Sequence, residues 1–288
     1  MKAKSSFKES AMRIVFLLAA CVSVLAVALI CIFLFANGIP AMKEIGFLDF
    51  LLGETWRPSN DLYGILPFIL GSIYVTAGAI IIGVPIAILT SVFMAYYCPK
   101  KLYGPLKAGI NLMAGVPSVV YGFFGLVVLV PLIQDVFHIA SGKTMLTASL
   151  MLAIMILPTV VGVIEPALKS VPRSYYEGAL ALGASHSKSV FFTIVPAAKS
   201  GIMAGTVLGI GRAIGETMAV IMIAGNQPAM PSSLLAGVRT MTSNIVLEMG
   251  YASGLHRESL IATGVVLFVF ILIINLCLSL LNRRAAHE

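Results

Sequence analysis

The stretch "GIGRAIGETMAV", Gly209–Val220, lies inside one of the most apolar parts of a 288-residue chain. It carries two opposite charges, Arg212 and Glu216, four residues apart. An arginine at the centre of a membrane helix costs about 2.5–3.5 kcal/mol on insertion scales, and such residues face a bundle interior or a water-filled cavity. Gly201, Gly205, Gly209, Arg212 and Glu216 recur at helical spacing. A continuous helix puts them on one face, with glycines for close approach and both charges beside them. Two readings stay open here. One is an internal ion pair that locks the bundle, although Arg before Glu is the less favourable order at i,i+4. The other is a charged station on a path through the membrane, with Thr217 counted beside the pair. Arg212 supplies forked donors suited to oxyanions. Glu216 can accept a hydrogen bond from a protonated oxyanion, which hydrogen phosphate offers and sulfate does not.

The composition places the whole chain in a bilayer. It is 59% hydrophobic and 11% charged, with a mean hydropathy of +1.01, whereas a soluble domain is about a quarter charged. Six stretches are long enough to span, at about 20 residues per crossing: Met12–Ala36, Ile65–Tyr97, Leu106–Ile133, Thr144–Ile164, Pro196–Ala224 and Leu260–Leu281. Pro85, Pro117 and Pro158 fall inside them and invite kinks. The first stretch is too long for a signal-peptide core and is read as a retained helix.

Charge sets the orientation. With the N-terminus inside, the inner segments hold thirteen cations and four acids, and the outer segments five and seven. By the positive-inside rule both termini are cytoplasmic. The net charge of +7 is therefore a topology signal, and nucleic-acid binding is not expected. The four cysteines show neither metal-ligand spacing nor a disulfide framework. His138, His186, His256 and His287 lie outside the six stretches, so no buried histidine-based catalytic site is expected. No phosphate-binding loop for ATP is present either: at Gly142-Lys143-Thr144, Phe137 stands where its first glycine belongs.

Two further segments carry pattern. "AGVPSVVYGFFGL", Ala114–Leu126, places Ser118 and Tyr121 near Pro117, which frees the carbonyl four residues back. These residues either line a path or serve a packing kink. The inner loop Lys169–Gly201 is longer than a linking turn requires. Ser174–Val190 reads as a short interfacial helix, with Ser174 and Glu177 spaced as a capping box and Gly183 as its break. Within it, Glu177-Gly178-Ala179, then Gly183, then Ile194-Val195-Pro196 resemble the loop of ABC importer permeases that seats in an ATPase subunit. There Gly178 replaces an alanine and Val195 a leucine. The resemblance implies that Glu177, Gly178, Ala179 and Gly183 couple to the ATPase.

Together with "ETWRPSNDLYGILPFILGSIYVT" (Glu54–Thr76) and Ile156–Ser185, these stretches resemble PstC-type permeases of phosphate ABC importers. The resemblance implies an all-α membrane protein of type I importer fold. It divides into an N-terminal part, 1–64, and a permease core, 65–288, whose coupling loop spans about 165–196. It also implies a heterodimer with a PstA-type permease, a PstB-type ATPase dimer that uses ATP and Mg, and a PstS-type phosphate-binding protein docking outside. No cofactor is expected in this chain. Under the same resemblance Arg212, Glu216, Thr217, Ser118 and Tyr121 form the substrate path. A permease for sulfate or molybdate and an ion-coupled secondary transporter are the alternatives.

Overall fold

In the computed structural model residues 2–287 are described, with side chains for 9–277 and 280. The side chains of Lys2, Lys4, Lys8, Arg283 and Arg284, which weight the inner-side count, lie outside the described residues, as does Glu288. In chain order the elements are α1 (Lys2–Ile45), α2 (Phe47–Leu52), a hairpin of β1 (Trp56–Arg57) and β2 (Leu62–Tyr63), and α3 (Leu66–Val92). A π-turn, Phe93–Tyr97, extends α3 and leads to α4 (Lys100–Gly115) and α5 (Ser118–Phe124). A second π-turn, Gly125–Leu129, joins α5 to α6 (Val130–Phe137). Then come α7 (Met145–Ser170), α8 (Arg173–Ala181) and α9 (His186–Ser189), with a third π-turn at Val190–Ile194. The chain ends with α10 (Val195–Ala197), α11 (Lys199–Gly215), α12 (Met218–Ile223), α13 (Met241–Glu248) and α14 (Gly254–His287).

Five helices are long and apolar enough to cross a membrane, and six when the bent pair His186–Ala197 and Lys199–Gly215, meeting at 69°, counts as one. At the centre stands α7: 67% of its most apolar window is buried, against none of that of α1. In lipid no hydrophobic gain drives helices together, so close packing and hydrogen bonds do. Small residues on the neighbours of α7 show this directly. Gly83 of α3 leaves no room for a Cβ beside Ala153 and Ile156, and Gly205 and Gly209 of α11 press on Ile164 and Val160. Ser149 Oγ of α7 also donates to the Val75 carbonyl of α3, at 3.2 Å. The upper part of α1 packs on α14 through Gly38, which faces Val265 and Ala262.

Four expectations need correction. The third stretch, Leu106–Ile133, is not one helix. Val116, held extended before Pro117 (ψ 127), breaks it, as steric clash with a proline ring requires. The crossing is Ser118–Phe137, and α4 is a separate amphipathic helix with no buried residue. The fifth stretch, Pro196–Ala224, is broken as well: α11 stops at Gly215, and Glu216 is extended (ψ 130). The inner helix is capped by neither Ser174 nor a capping box. Pro172 precedes α8, and no side chain caps it. Pro85 and Pro158, by contrast, sit inside the continuous helices α3 and α7. The coupling loop also starts later than residue 165, because α7 runs on to Ser170.

Candidate functional site

The break at Glu216 decides what the two membrane charges do. Because α11 ends at Gly215, Glu216 leaves the face it would share with Arg212 in a continuous helix, and the two form no ion pair among the described residues. The locking-pair reading is thereby overturned. Glu216 instead turns toward the next helix. Its Oε1 accepts from the backbone N–H of Thr217 at 3.1 Å and of Ala219 at 3.3 Å, where free N–H groups favour negative charge. The Thr217 hydroxyl donates to the Gly215 carbonyl at 3.2 Å, satisfying the break itself.

Arg212 remains on the face of the glycines, against α7. One guanidinium nitrogen, Nη1, donates to Thr159 Oγ1 at 3.1 Å. Its Nε is buried with no hydrogen-bond partner. A guanidinium has five N–H donors and no acceptor. This one is half-buried and forms no ion pair with a carboxylate among the described residues.

The second break lies beside the first. The carbonyl that Pro117 frees is that of Met113, and the Tyr121 hydroxyl donates to it at 2.8 Å. Tyr121 is 8% exposed, and Arg212 is near enough to act on it electrostatically. Ser118 opens α5 and is half-buried. One turn later Gly122 meets Ala219 and Met222 of α12, so α5 and α12 pack side by side, each just after a break. The structure thus gathers Tyr121, Arg212, Glu216 and Thr217 around two helix interruptions, with Ser118 at the start of one of them.

No sequence motif pointed to a second hub, built around Glu248. The segment Gln227–Ser259 folds back on the bundle and contains α13, capped by Thr240, whose Oγ1 accepts from Ser243 N. Thr242 Oγ1 donates to the Glu216 carbonyl at 3.1 Å, so this segment reaches the break. Its anchor is Glu248, 7% exposed. The Glu248 carboxylate meets Arg239 Nη1 at 2.6 Å, His256 Nε2 at 2.8 Å and Trp56 Nε1 at 2.9 Å. Arg239 also donates to the Asn226 carbonyl and to Asn244 Oδ1, each at 3.0 Å.

A second carboxylate, Glu165, does the same near the C-terminal end of α7. It is 2% exposed and accepts from Tyr103 at 2.8 Å and from Lys107 at 2.6 Å, both on α4, with Lys169 as a further ion-pair partner. This pins the otherwise unburied α4 to α7.

The inner helix α8 presents Glu177 and Gly178 to the exterior, with Ala179 half-buried. Gly183 follows at φ +85, a left-handed conformation that closes the helix and that glycine adopts without strain. Leu182 beside it is 91% exposed. An exposed, tightly turned helix end of this kind can seat in a partner's groove.

The sequence signature of the binding-protein-dependent transport system inner membrane component matches residues 83–287. The chain belongs to this family. The permease is 37% identical over 266 residues to the probable ABC transporter permease protein YqgH of Bacillus subtilis, covering 89% of this chain and 86% of that one. It is 35% identical over 265 residues to the phosphate transport system permease protein PstC of Mesorhizobium japonicum, covering 85% and 81%. Against the probable PstC of Methanocaldococcus jannaschii the identity is 32%, covering 85% and 84%. Among solved structures, the permease superposes on a chain of an inward-facing MetNI methionine ABC transporter with a TM-score of 0.63 at 16% identity, over 80% of this chain and 99% of that one. An alginate-importing ABC transporter gives 0.61 at 15% identity, over 91% and 95%. At such identities the likeness is one of fold alone. The permease is accordingly the multi-pass inner-membrane component of an ABC transport system, with the type I importer fold.

Proposed function

We propose that this permease forms the phosphate path of an ATP-driven importer. The observation that carries the reading is Arg212, a guanidinium in a broken membrane-spanning segment with no carboxylate partner among the described residues and a buried, unmatched Nε. Relatives at 32–35% identity are named as phosphate transport permeases, which supports phosphate over other oxyanions. A lone arginine attracts an anion; with Glu216 nearby the local charge stays close to neutral, so the anion is not trapped. Glu216 commits Oε1 to the start of α12, and the other oxygen serves to accept the proton of hydrogen phosphate.

In this reading a second, PstA-type permease completes the path. A PstB-type ATPase dimer, using ATP and Mg, takes the exposed end of α8 at Glu177, Gly178, Ala179 and Gly183. A PstS-type binding protein delivers phosphate from outside. ATP-driven closure of the ATPase moves α8, and the crossings rock as rigid units between outward and inward openings.

Purification through a tag on this chain in mild detergent tests the reading. An ATPase subunit must co-purify, and the reconstituted complex must take up labelled phosphate, with ATP, in preference to sulfate and molybdate. No ATPase, or uptake without ATP, overturns it in favour of a secondary transporter. Preference for sulfate or molybdate overturns the substrate.

A further inference from the structure

The exposed side of α8 has a counterpart that faces the bundle. Tyr176 is the half-buried aromatic residue of α8. Its hydroxyl is hydrogen-bonded to His186 Nδ1 at 2.7 Å, across the Gly183 turn, on the first residue of α9. Both rings then meet the end of α3. The His186 ring lies edge-on to Tyr97, with centroids 4.7 Å apart, and Tyr176 lies 6.2 Å from Tyr96. Two more bonds fasten the group to its surroundings: Tyr97 Oη donates to Ser187 Oγ at 3.1 Å, and Tyr96 Oη to the Leu168 carbonyl at 3.1 Å, in the last turn of α7.

Tyr96 and Tyr97 are consecutive, and in an α-helix neighbours point about 100° apart. Here they belong to the π-turn Phe93–Tyr97, and both reach α8–α9. A π-turn inserted in a helix often marks a functional position. These four side chains join α8 and α9 to α3 and α7, the two helices that form the centre of the bundle.

We propose that Tyr176, His186, Tyr96 and Tyr97 form a transmission clamp: they are positioning residues that carry the displacement of α8 into α3 and α7. The proposal deepens the importer reading and rests on it. A push on α8 reaches the crossings only if α8 and the end of α3 move as one body. Rings packed around a short hydrogen bond supply that stiffness, whereas the glycine turn alone bends. Loss of the Tyr176–His186 bond leaves the outward side of α8 untouched, so the ATPase still seats and still hydrolyses ATP. Its stroke is then spent in the Gly183 turn.

The test uses the whole complex, captured through this chain and reconstituted in vesicles, with phosphate uptake and ATP hydrolysis measured together. Tyr176→Phe removes one hydroxyl and keeps the ring. Its expected effect is a fall of about fivefold in phosphate taken up per ATP hydrolysed, the weight of one neutral hydrogen bond, with ATPase content and hydrolysis rate unchanged. His186→Ala gives a larger fall, and His186→Asn, whose amide can still meet the tyrosine hydroxyl, restores part of it. Tyr96→Phe, which frees the Leu168 carbonyl at a separate point of the clamp, lowers the ratio in the same way. An unchanged ratio in both Phe variants overturns the clamp while leaving the importer reading intact. Loss of ATPase from the purified variants also overturns it, because the cluster would then shape the seat. A wild-type complex without ATP-driven uptake overturns the importer reading, and the clamp with it.

Discussion

The Tyr121 hydroxyl donates to the Met113 carbonyl, 2.8 Å away across the break at Pro117. That carbonyl also accepts from the Val116 N–H at 3.3 Å, and the Tyr121 hydroxyl is its shorter partner. Removal of the hydroxyl loses one hydrogen bond, at a cost of about 1 kcal/mol. Tyr121→Phe therefore lowers the melting temperature of the purified subunit by roughly 2–4 °C and leaves phosphate uptake by the intact complex largely unchanged. Uptake abolished at an unchanged melting temperature would make Tyr121 a path residue.

Arg212 is expected to behave differently. Arg212→Gln removes the charge, and Arg212→Lys keeps it as a point without the fork. Both variants should assemble, since among the described residues the arginine makes a single hydrogen bond, to Thr159. Uptake of labelled phosphate should fall by about tenfold or more in Arg212→Gln and by less in Arg212→Lys, consistent with a loss of charge-assisted hydrogen bonds. Uptake within a factor of two of wild type in Arg212→Gln would remove Arg212 from the path.

Glu216→Gln separates structure from transport. The amide oxygen can still accept from Thr217 and Ala219, so the start of α12 keeps its cap and loses only the charge, worth about 0.3–1 kcal/mol at a helix N-terminus. Thermal stability should hardly move, while the preference for phosphate over sulfate, read from competition uptake, narrows. An unchanged preference restricts Glu216 to its capping role.

Glu248 is the residue whose loss should damage the fold most at the outer end. Glu248→Leu leaves Arg239, with 14% side-chain exposure, without its counter-charge. Removing one partner of a buried pair costs about 3–5 kcal/mol. The single variant should purify poorly and unfold early in detergent. Adding Arg239→Met, which removes the stranded charge as well, should recover much of the loss in the same melting assay. A double variant no better than the single would show that the carboxylate serves Trp56 and His256 more than Arg239.

Hydropathy made the crossings legible because it reads transfer from water, and α3, α7 and α14 follow the apolar stretches closely. It is blind to direction within lipid. The stop at Val116 was written in Pro117, yet a proline breaks one helix here while Pro85 and Pro158 remain inside continuous ones. Nothing local distinguishes these cases. The stop at Glu216 has no proline at all. Its sign was the dipeptide Glu216-Thr217 after Gly215, a glycine followed by two residues that can satisfy a helix end. The same four-residue interval that suggested an ion pair concealed this. Glu165 and Glu248 were read as ordinary charges of the inner and outer segments, because part of what buries each carboxylate is distant in sequence: Lys107 is 58 positions from Glu165 and Trp56 is 192 from Glu248. Gly183, in contrast, was readable from sequence, since a left-handed turn leaves few other residues to choose from.

Trp56 is the single tryptophan of the chain, and its indole donates to Glu248 while sitting edge-on to Tyr63, Phe68 and His256. All indole emission from this subunit therefore originates at one point, beside the Arg239–Glu248 pair. The protein carries its own optical reporter. Any rearrangement of the Glu248 hub during a transport cycle will register as a change in intensity or wavelength from an unlabelled subunit, provided that the partners are made free of tryptophan.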